Sequence, residues 1–362
     1  MRMDLAIVGM PFSGKTTVFR ALTAGHGSAA ADGRGEAIGA VKIPDDRLQQ
    51  LAELVHAKKI TPVEVVLHDL PALFERGAAP SGTAAETLAR ADALVHVVRA
   101  FERDDVPHPS GSIDAERDIA AFEAEIMLND LGIVERRLEK LDTTARTAKQ
   151  ADREAAQRET EMLSTVKTHL ESDTALRGVI TDPEDIRALG NYGLLSLKPM
   201  LILVNIGEAE VSSRDSVEAR YRDKFARDRT GVAALCARLE AELAELPADE
   251  AAEFREEMGA GEGATDRVLE AIREMLGLVT FFTAGEKDTR AWTIPQGATV
   301  LQAAGRIHTD IERGFIRAEV IAWDKLLELG GHNEAKKVGQ LRQEGKTYIV
   351  QEGDVINVLF NV

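Results

Sequence analysis

The sequence predicts an α/β domain carrying a phosphate-binding loop, interrupted by a helical insertion and followed by a separate α+β module. Three observations carry this reading. Gly9-Met10-Pro11-Phe12-Ser13-Gly14-Lys15-Thr16 is a complete phosphate-binding loop between a strand-like and a helix-like segment. The stretch from Lys140 to Glu171 is rich in charge and contains neither Gly nor Pro. Beyond about residue 280, β-like segments crowd together between turns.

Leu5-Ala6-Ile7-Val8 is a short apolar run ending at Gly9, as a buried parallel strand does. Thr17 to Leu22 has helical spacing. Residues 24–39, rich in Gly, Ala and Ser, read as a flexible loop. Asp46 to Val55 reads as an amphipathic helix. Val63 to Leu67 is a second buried strand ending at His68-Asp69. Ala93 to Val98 is a third and Met200 to Val204 a fourth. Strands alternating with helices indicate a parallel sheet. In residues 115–172, Leu131, Val134, Leu138 and Leu141 recur at helical spacing among charged faces, which predicts a helical hairpin or coiled coil. It reads as an insertion, because the strand at Met200 comes after it and the sheet needs that strand. Residues 248–264, acidic and rich in Gly and Ala, read as a surface excursion. The final module is predicted from β-like Thr280–Thr283, Arg290–Ile294, Ala318–Ile321, Tyr348–Val350 and Val355–Phe360, with turns at Pro295-Gln296-Gly297 and Glu352-Gly353-Asp354.

Composition narrows the function. The chain has 362 residues, 44% of them hydrophobic, enough for a sizeable core. A net charge of −17 argues against nucleic-acid binding by bulk electrostatics, and no sequence-specific DNA binding is expected. Aromatic residues at 4% are too few for extensive base-stacking platforms. Cys236 is the single cysteine, which excludes an intrachain disulfide framework and a cysteine zinc cluster. No apolar run approaches a membrane span, and Met1-Arg2-Met3-Asp4 does not open a signal peptide. A soluble cytoplasmic protein without a membrane partner is expected.

The chemistry sits at the front of the predicted sheet. Glycines let a loop curl until successive N–H groups face phosphate oxygens, and the next helix turns its N-terminus to the same anion. Gly9 and Gly14 meet the first need. Lys15 supplies charge near the β- and γ-phosphates, and the Thr16 hydroxyl is a Mg²⁺ ligand. Asp69 stands where phosphate-loop enzymes place an aspartate that helps hold Mg²⁺; its alternative is a cap for the turn at Pro71. Asn205-Ile206-Gly207-Glu208 follows the fourth strand. Guanine-specific proteins place Asn-Lys-x-Asp there, and the aspartate accepts from guanine N1–H and the 2-amino group. Ile206 and Glu208 replace the lysine and the aspartate, which leaves either purine open and makes adenine plausible. His96, in an apolar strand, reads as a packed core histidine, and Trp292 and Trp323 read as core or interface anchors.

With these residues in hand, the sequence resembles the YchF family, Obg-like ATPases of the translation-factor class. The likeness runs through the loop, Pro44 to Glu53, Asp92 to Phe101 and Asn205 to Glu208. It continues in Phe282 to Gly285, Arg290 to Pro295, Ala304-Gly305-Arg306-Ile307-His308-Thr309-Asp310, Gly314 to Val320, Glu344 to Lys346, Tyr348 to Val350 and Gly353 to Val355. The resemblance implies a phosphate-loop nucleoside triphosphatase domain of the Obg type at 1–114 and 196–278. A helical coiled-coil insertion at 115–195 and an α+β TGS domain, β-grasp-like, at 279–362 complete it. It implies slow Mg²⁺-dependent hydrolysis of ATP in preference to GTP, and association with the ribosome.

Carried over residue by residue, Lys15, Thr16 and Asp69 are the expected catalytic residues, and Thr16 and Asp69 the metal ligands. Phe12, Ser13, Gly14, Lys15, Thr16 and Thr17 cradle the phosphates. Asn205, Ile206 and Glu208 attend the base, with Cys236 and Ala237 as a second pocket-lining segment. The chain departs from the family in its switch segments. Gly25 to Gly39 lacks the usual Asn-Tyr-Pro-Phe-x-Thr-Ile pattern. Asp69-Leu70-Pro71-Ala72 stands for Asp-x-x-Gly, and Gly77 to Gly82 is all that remains of a Lys-containing glycine-rich stretch. Leu73 replaces the water-orienting glutamine of small GTPases, which the family also lacks. A non-hydrolysing nucleotide-binding adaptor and a GTPase are therefore the alternatives.

Overall fold

A computed structural model of the chain describes residues 3–24, 36–71, 73, 79–103, 105–147, 149–261 and 263–361. Chain order begins β1 (Met3–Val8), α1 (Lys15–Leu22), β2 (Ala37–Lys42), α2 (Asp46–Leu54), β3 (Ile60–Thr61), β4 (Glu64–Asp69), α3 (Gly82–Arg90), β5 (Ala93–Arg99), α4 (Ala115–Thr147), α5 (Gln150–Glu171) and α6 (Pro183–Leu189). It continues β6 (Met200–Asn205), α7 (Arg214–Phe225), β7 (Thr230–Leu235), α8 (Ala237–Leu243), α9 (Ala248–Glu257), α10 (Ala264–Met275), β8 (Leu278–Thr283), β9 (Thr289–Pro295), α11 (Val300–Ile307), α12 (Thr309–Arg313), β10 (Phe315–Ala322), α13 (Trp323–Leu329), α14 (His332–Lys337), β11 (Arg342–Glu344) and β12 (Asp354–Phe360). The chain divides into two units, one of Met3–Ala40 with Val66–Met275, the other of Val41–Val65 with Leu276–Val362.

In the first unit the strand order is β2-β4-β1-β5-β6-β7, and β1, β5, β6 and β7 run parallel. Every residue of β5 and β6 is buried, which accounts for their apolar runs, interrupted in β5 by His96 and ended by Arg99. The Leu70 N–H donates to the Ile7 carbonyl at 3.4 Å, so the ends of β4 and β1 meet. Between β5 and β6 the chain leaves the sheet as α4 and returns through α5. Val134, Leu141, Leu163, Val166 and Leu170 form the seam of this pair. Arg137 donates to Glu159 across it at 2.6 and 2.8 Å. Among the described residues no helix is long and apolar enough to cross a membrane.

The second unit carries the order β11-β10-β12-β8-β9-β3. The hairpin β8–β9 and the pair β10–β12 are antiparallel, whereas β12 runs parallel to β8 and β3 to β9. Phe281, Ile294, Val300 and Val320 lie at its core, and α2 buries Leu48 and Leu51 against Phe282 and Ile321.

Two expectations need correction. Residues 37–39 are strand, not loop: at Gly39 a Cβ would stand 2.5 Å from Thr23 Cγ2, so glycine serves close packing there. Residues 25–35 lie outside the described residues. The acidic stretch at 248–264 lies at the surface as expected; it includes α9, and Ala251 and Ala260 are the points at which it packs into the sheet's core. Tyr348 to Val350 makes a single bridge, Ile349 with Thr299, rather than a strand. Strand β7 carries little sequence signal because Thr-Gly-Val-Ala-Ala-Leu has few bulky apolar side chains, yet its last four residues are buried.

Candidate functional site

The loop after β1 is shaped by backbone that L-side chains avoid. Gly9 has φ 146°, and a Cβ there would stand 2.4 Å from the Val97 carbonyl oxygen. Gly14 has φ 94° at the N-cap of α1, where a Cβ would stand 2.3 Å from Asn205 Nδ2. Phe12 also lies in the left-handed region, at φ 64°, with 58% of its surface exposed. A bulky residue held there is strained, and such strain collects at ligand-binding loops. No side chain caps α1 and its first turn holds no acidic residue, so the helix end suits an anion.

The predicted residues converge around this loop. Lys15 Nζ donates to the carbonyls of Gly9 at 3.0 Å and Met10 at 2.9 Å, which holds the ammonium over the loop. Thr16 Oγ1 donates to Asp69 Oδ2 at 2.7 Å. Asp69 is buried at the end of β4. Burial raises its carboxyl above the ordinary range, opposed by the Thr16 hydrogen bond and then by Lys15 and Arg20. Asp69 Oδ1 and Ser13 Oγ are buried without a hydrogen-bond partner among the described residues. Thr17 borders, with Thr16, a cavity of about 470 Å³ that also touches Arg20, Arg238 and Glu242.

Asn205 ties two segments together. Its Nδ2 donates to the Ser13 carbonyl at 3.0 Å, and its Oδ1 accepts from the Ala237 N–H at 3.0 Å. The phosphate loop and the start of α8 are therefore fixed by one buried amide. The other residues expected at the base differ in exposure. Ile206 is packed in the core at 1% exposure and Ala237 is fully buried. Cys236 is buried at the N-cap of α8, and burial pushes its thiol up. Glu208 is exposed and faces Arg238 at 3.4 Å. Phe101 was missed. A Cβ on Gly14 would meet its ring at 3.9 Å, a Cβ on Gly207 its Cβ at 3.8 Å, and Arg99 lies 4.7 Å over the ring. Its signal was available, since it follows β5 much as Asn205 ends β6.

His68 was also missed: its ring nitrogens meet Glu36 at 2.8 Å and Asp4 at 3.0 Å, which fixes the strand just before Asp69. Leu73 packs against the core, and Ala72 lies outside the described residues. His96 is a packed histidine, stacked on Phe122 at 4.0 Å, and burial lowers its pKa to about 3. Trp292 is buried and donates to Thr283 Oγ1 at 3.0 Å. His308 caps α12 by accepting from the Asp310 N–H at 3.1 Å.

The Thr16 hydroxyl and the Asp69 carboxylate, with one oxygen unsatisfied, suit a small hard cation. The described residues contain no group of three or more His, Cys, Asp or Glu placed for a metal. A Mg²⁺ ion here would take its other ligands from phosphate and water.

A sheet with this loop after β1, an aspartate ending β4 and an asparagine ending β6 is the fold of a phosphate-loop nucleoside triphosphatase. Known proteins agree with it. Residues 278–361 match the family YchF-GTPase_C, described as a protein of unknown function (DUF933). The ribosome-binding ATPase YchF of Bacillus subtilis (strain 168) is 40% identical over 373 residues, with both chains covered in full. That of Haemophilus influenzae is 39% identical over 369 residues, again covering both chains. The solved structure of the Schizosaccharomyces pombe YchF GTPase superposes with TM-score 0.79 at 27% identity, covering 99% of this chain and 97% of that one. The chain belongs to the YchF family.

Proposed function

We propose that this chain is a Mg²⁺-dependent, adenine-preferring nucleoside triphosphatase that turns over slowly and acts as a conformational switch on the ribosome in the cytoplasm. The observation that carries the reading is Asn205, whose one amide holds both the phosphate loop and the segment at Ala237. Its three working parts are 1–114 with 196–278 for the nucleotide, apart from Val41–Val65, which groups with the C-terminal unit, 115–195 as the helical arm and 279–362 as the TGS module. The full-length relatives named ribosome-binding ATPases support ATP and the ribosome. Since the fission-yeast relative is named a GTPase, base preference needs its own test.

In this reading the backbone N–H groups of residues 12–17 and the N-terminus of α1 receive the phosphates. Lys15 turns its charge from the loop carbonyls to the β- and γ-oxygens. Thr16 and Asp69 hold Mg²⁺, which when bound neutralises charge on the β- and γ-phosphates. Asp69 keeps Thr16 oriented. Ile206, Glu208, Cys236 and Ala237 bound the base, with Phe101 beside them. Catalysis rests on positioning and charge rather than on a protein base.

Competition of unlabelled ATP and GTP against a fluorescent ATP analogue tests the base, with ATP expected to bind at least about tenfold more tightly. A GTP preference overturns the adenine assignment. Single-turnover phosphate release with Mg²⁺-ATP tests catalysis and should vanish in Lys15→Ala. No release from the unmodified chain would establish the adaptor alternative, which the altered segment Asp69-Leu70-Pro71-Ala72 motivates.

A further inference from the structure

A second cavity, of about 620 Å³, lies in the same unit but away from the phosphate loop. Its walls are the first turns of α4, the chain returning from α5, and the approach to β7. It reaches Thr230, where β7 begins, whereas Asn205 and Leu235 end β6 and β7 on the nucleotide side. Its volume is that of a small-molecule site.

The lining has three chemical parts. Ile119, Met127, Ile202 and Phe225 form an apolar wall. Arg177 is 2% exposed. Its Nη1 donates to the Ser196 carbonyl at 3.3 Å and its Nη2 to Glu123 Oε1. Its Nε and Glu123 Oε2 are both buried without a partner among the described residues, as is Nη1 of nearby Arg229. The exposed rim carries Arg227, Asp173 and Asp228.

Buried polar atoms are normally satisfied, and unpaired ones mark a place where water or a ligand belongs. A guanidinium edge suits a carboxylate or sulfonate, and a free carboxylate oxygen suits an N–H or O–H donor. The rim aspartates repel multiply charged anions, which disfavours a nucleotide. The apolar wall is large enough to accept a hydrocarbon or aromatic body. We propose that this cavity is a second binding site, for a small monoanion with an apolar body and one hydrogen-bond donor, seated where the helical hairpin joins the sheet.

The test uses the full chain and 8-anilinonaphthalene-1-sulfonate, a fluorescent aromatic monoanion with one N–H. Saturable binding at one site per chain is expected, undiminished by saturating Mg²⁺-ATP. Ala120 lines the cavity but is exposed, so Ala120→Trp fills the space without loading the core. It should weaken binding at least about tenfold. Arg227→Glu, on the exposed rim, should weaken it about threefold or more and guards against misfolding of the tryptophan variant. The uncharged N-phenyl-1-naphthylamine should bind at least about tenfold more weakly. The proposal fails if there is no saturable binding, if ATP displaces the probe, if neither variant moves it, or if the uncharged analogue binds equally well.

Discussion

The two units treat their buried polar groups in opposite ways. In the C-terminal unit they are satisfied internally. Asp354 accepts from the Tyr348 hydroxyl at 2.8 Å and the Gln351 N–H at 2.9 Å, Arg342 supports Tyr348 at 3.0 Å, and Trp292 donates to Thr283. In the parallel-sheet unit, Ser13 Oγ, Asp69 Oδ1, Arg177 Nε and Glu123 Oε2 are buried without partners, and among the described residues every such atom belongs to this unit. The unit with the phosphate loop keeps hydrogen-bonding capacity in reserve, whereas the C-terminal unit pairs its buried side-chain polar groups internally.

The largest effect should come from Gly14→Ala. It forces a side chain into left-handed backbone and against Asn205. We expect about 2–3 kcal/mol of lost stability and at least about a hundredfold loss of nucleotide affinity. Urea unfolding and fluorescent-nucleotide titration measure the two, and wild-type affinity would break the account of the loop.

Asn205→Ala comes next. It leaves the Ser13 carbonyl and the Ala237 N–H without their partner and should cost about 2 kcal/mol. Nucleotide affinity should fall about tenfold, while unfolding seen by tryptophan fluorescence should change less. Both tryptophans, Trp292 and Trp323, lie in the C-terminal unit, so that signal reports on the other side of the comparison.

Tyr348→Phe probes that side directly. It should cost about 1 kcal/mol and leave nucleotide affinity unchanged. Burial, reinforced by the bond it donates to Asp354, pushes the Tyr348 phenol from 10.0 up to about 12. The raised value means the protonated phenol's contribution is complete below pH 10 and is lost as pH rises through about 12. Tryptophan-detected stability of the variant should therefore fall less steeply over that range than that of the unmodified chain; parallel curves would remove Tyr348 from the explanation.

Asp69→Asn should have the smallest effect on stability, and of opposite sign. Because burial raises the Asp69 carboxyl, its ionisation costs the fold stability as pH rises through the carboxylate range. The neutral amide should stabilise the nucleotide-free protein by up to about 1 kcal/mol at neutral pH. It should also weaken the Mg²⁺ dependence of nucleotide binding. Lower thermal stability with unchanged Mg²⁺ dependence would show that Asp69 is structural.

Much of this was legible in the chain. The apolar runs at Leu5–Val8, Ala93–Val98 and Met200–Val204 are strands because burial on both faces demands hydrophobic side chains, with His96 the one polar residue among them, and Gly9, Gly14 and Lys15 declare the loop. Strand β7 and helix α9 were not legible. The small side chains of β7 carry little periodic signal and become core only because neighbours close upon them, while α9 is an acidic surface helix that buries Ala251.

The sequence by itself determined the parallel-sheet class, the phosphate loop, the helical interruption and the family, since each rests on residue types at short spacings that local backbone geometry enforces. Only the tertiary structure decided that Asn205 ties Ser13 to Ala237, that Phe101 stands beside Gly14, and that Arg177 and Glu123 meet at a second cavity. Those residues are far apart in the chain. The order of parallel strands brings their ends to shared edges of the sheet, and no local pattern records which side chains will meet there.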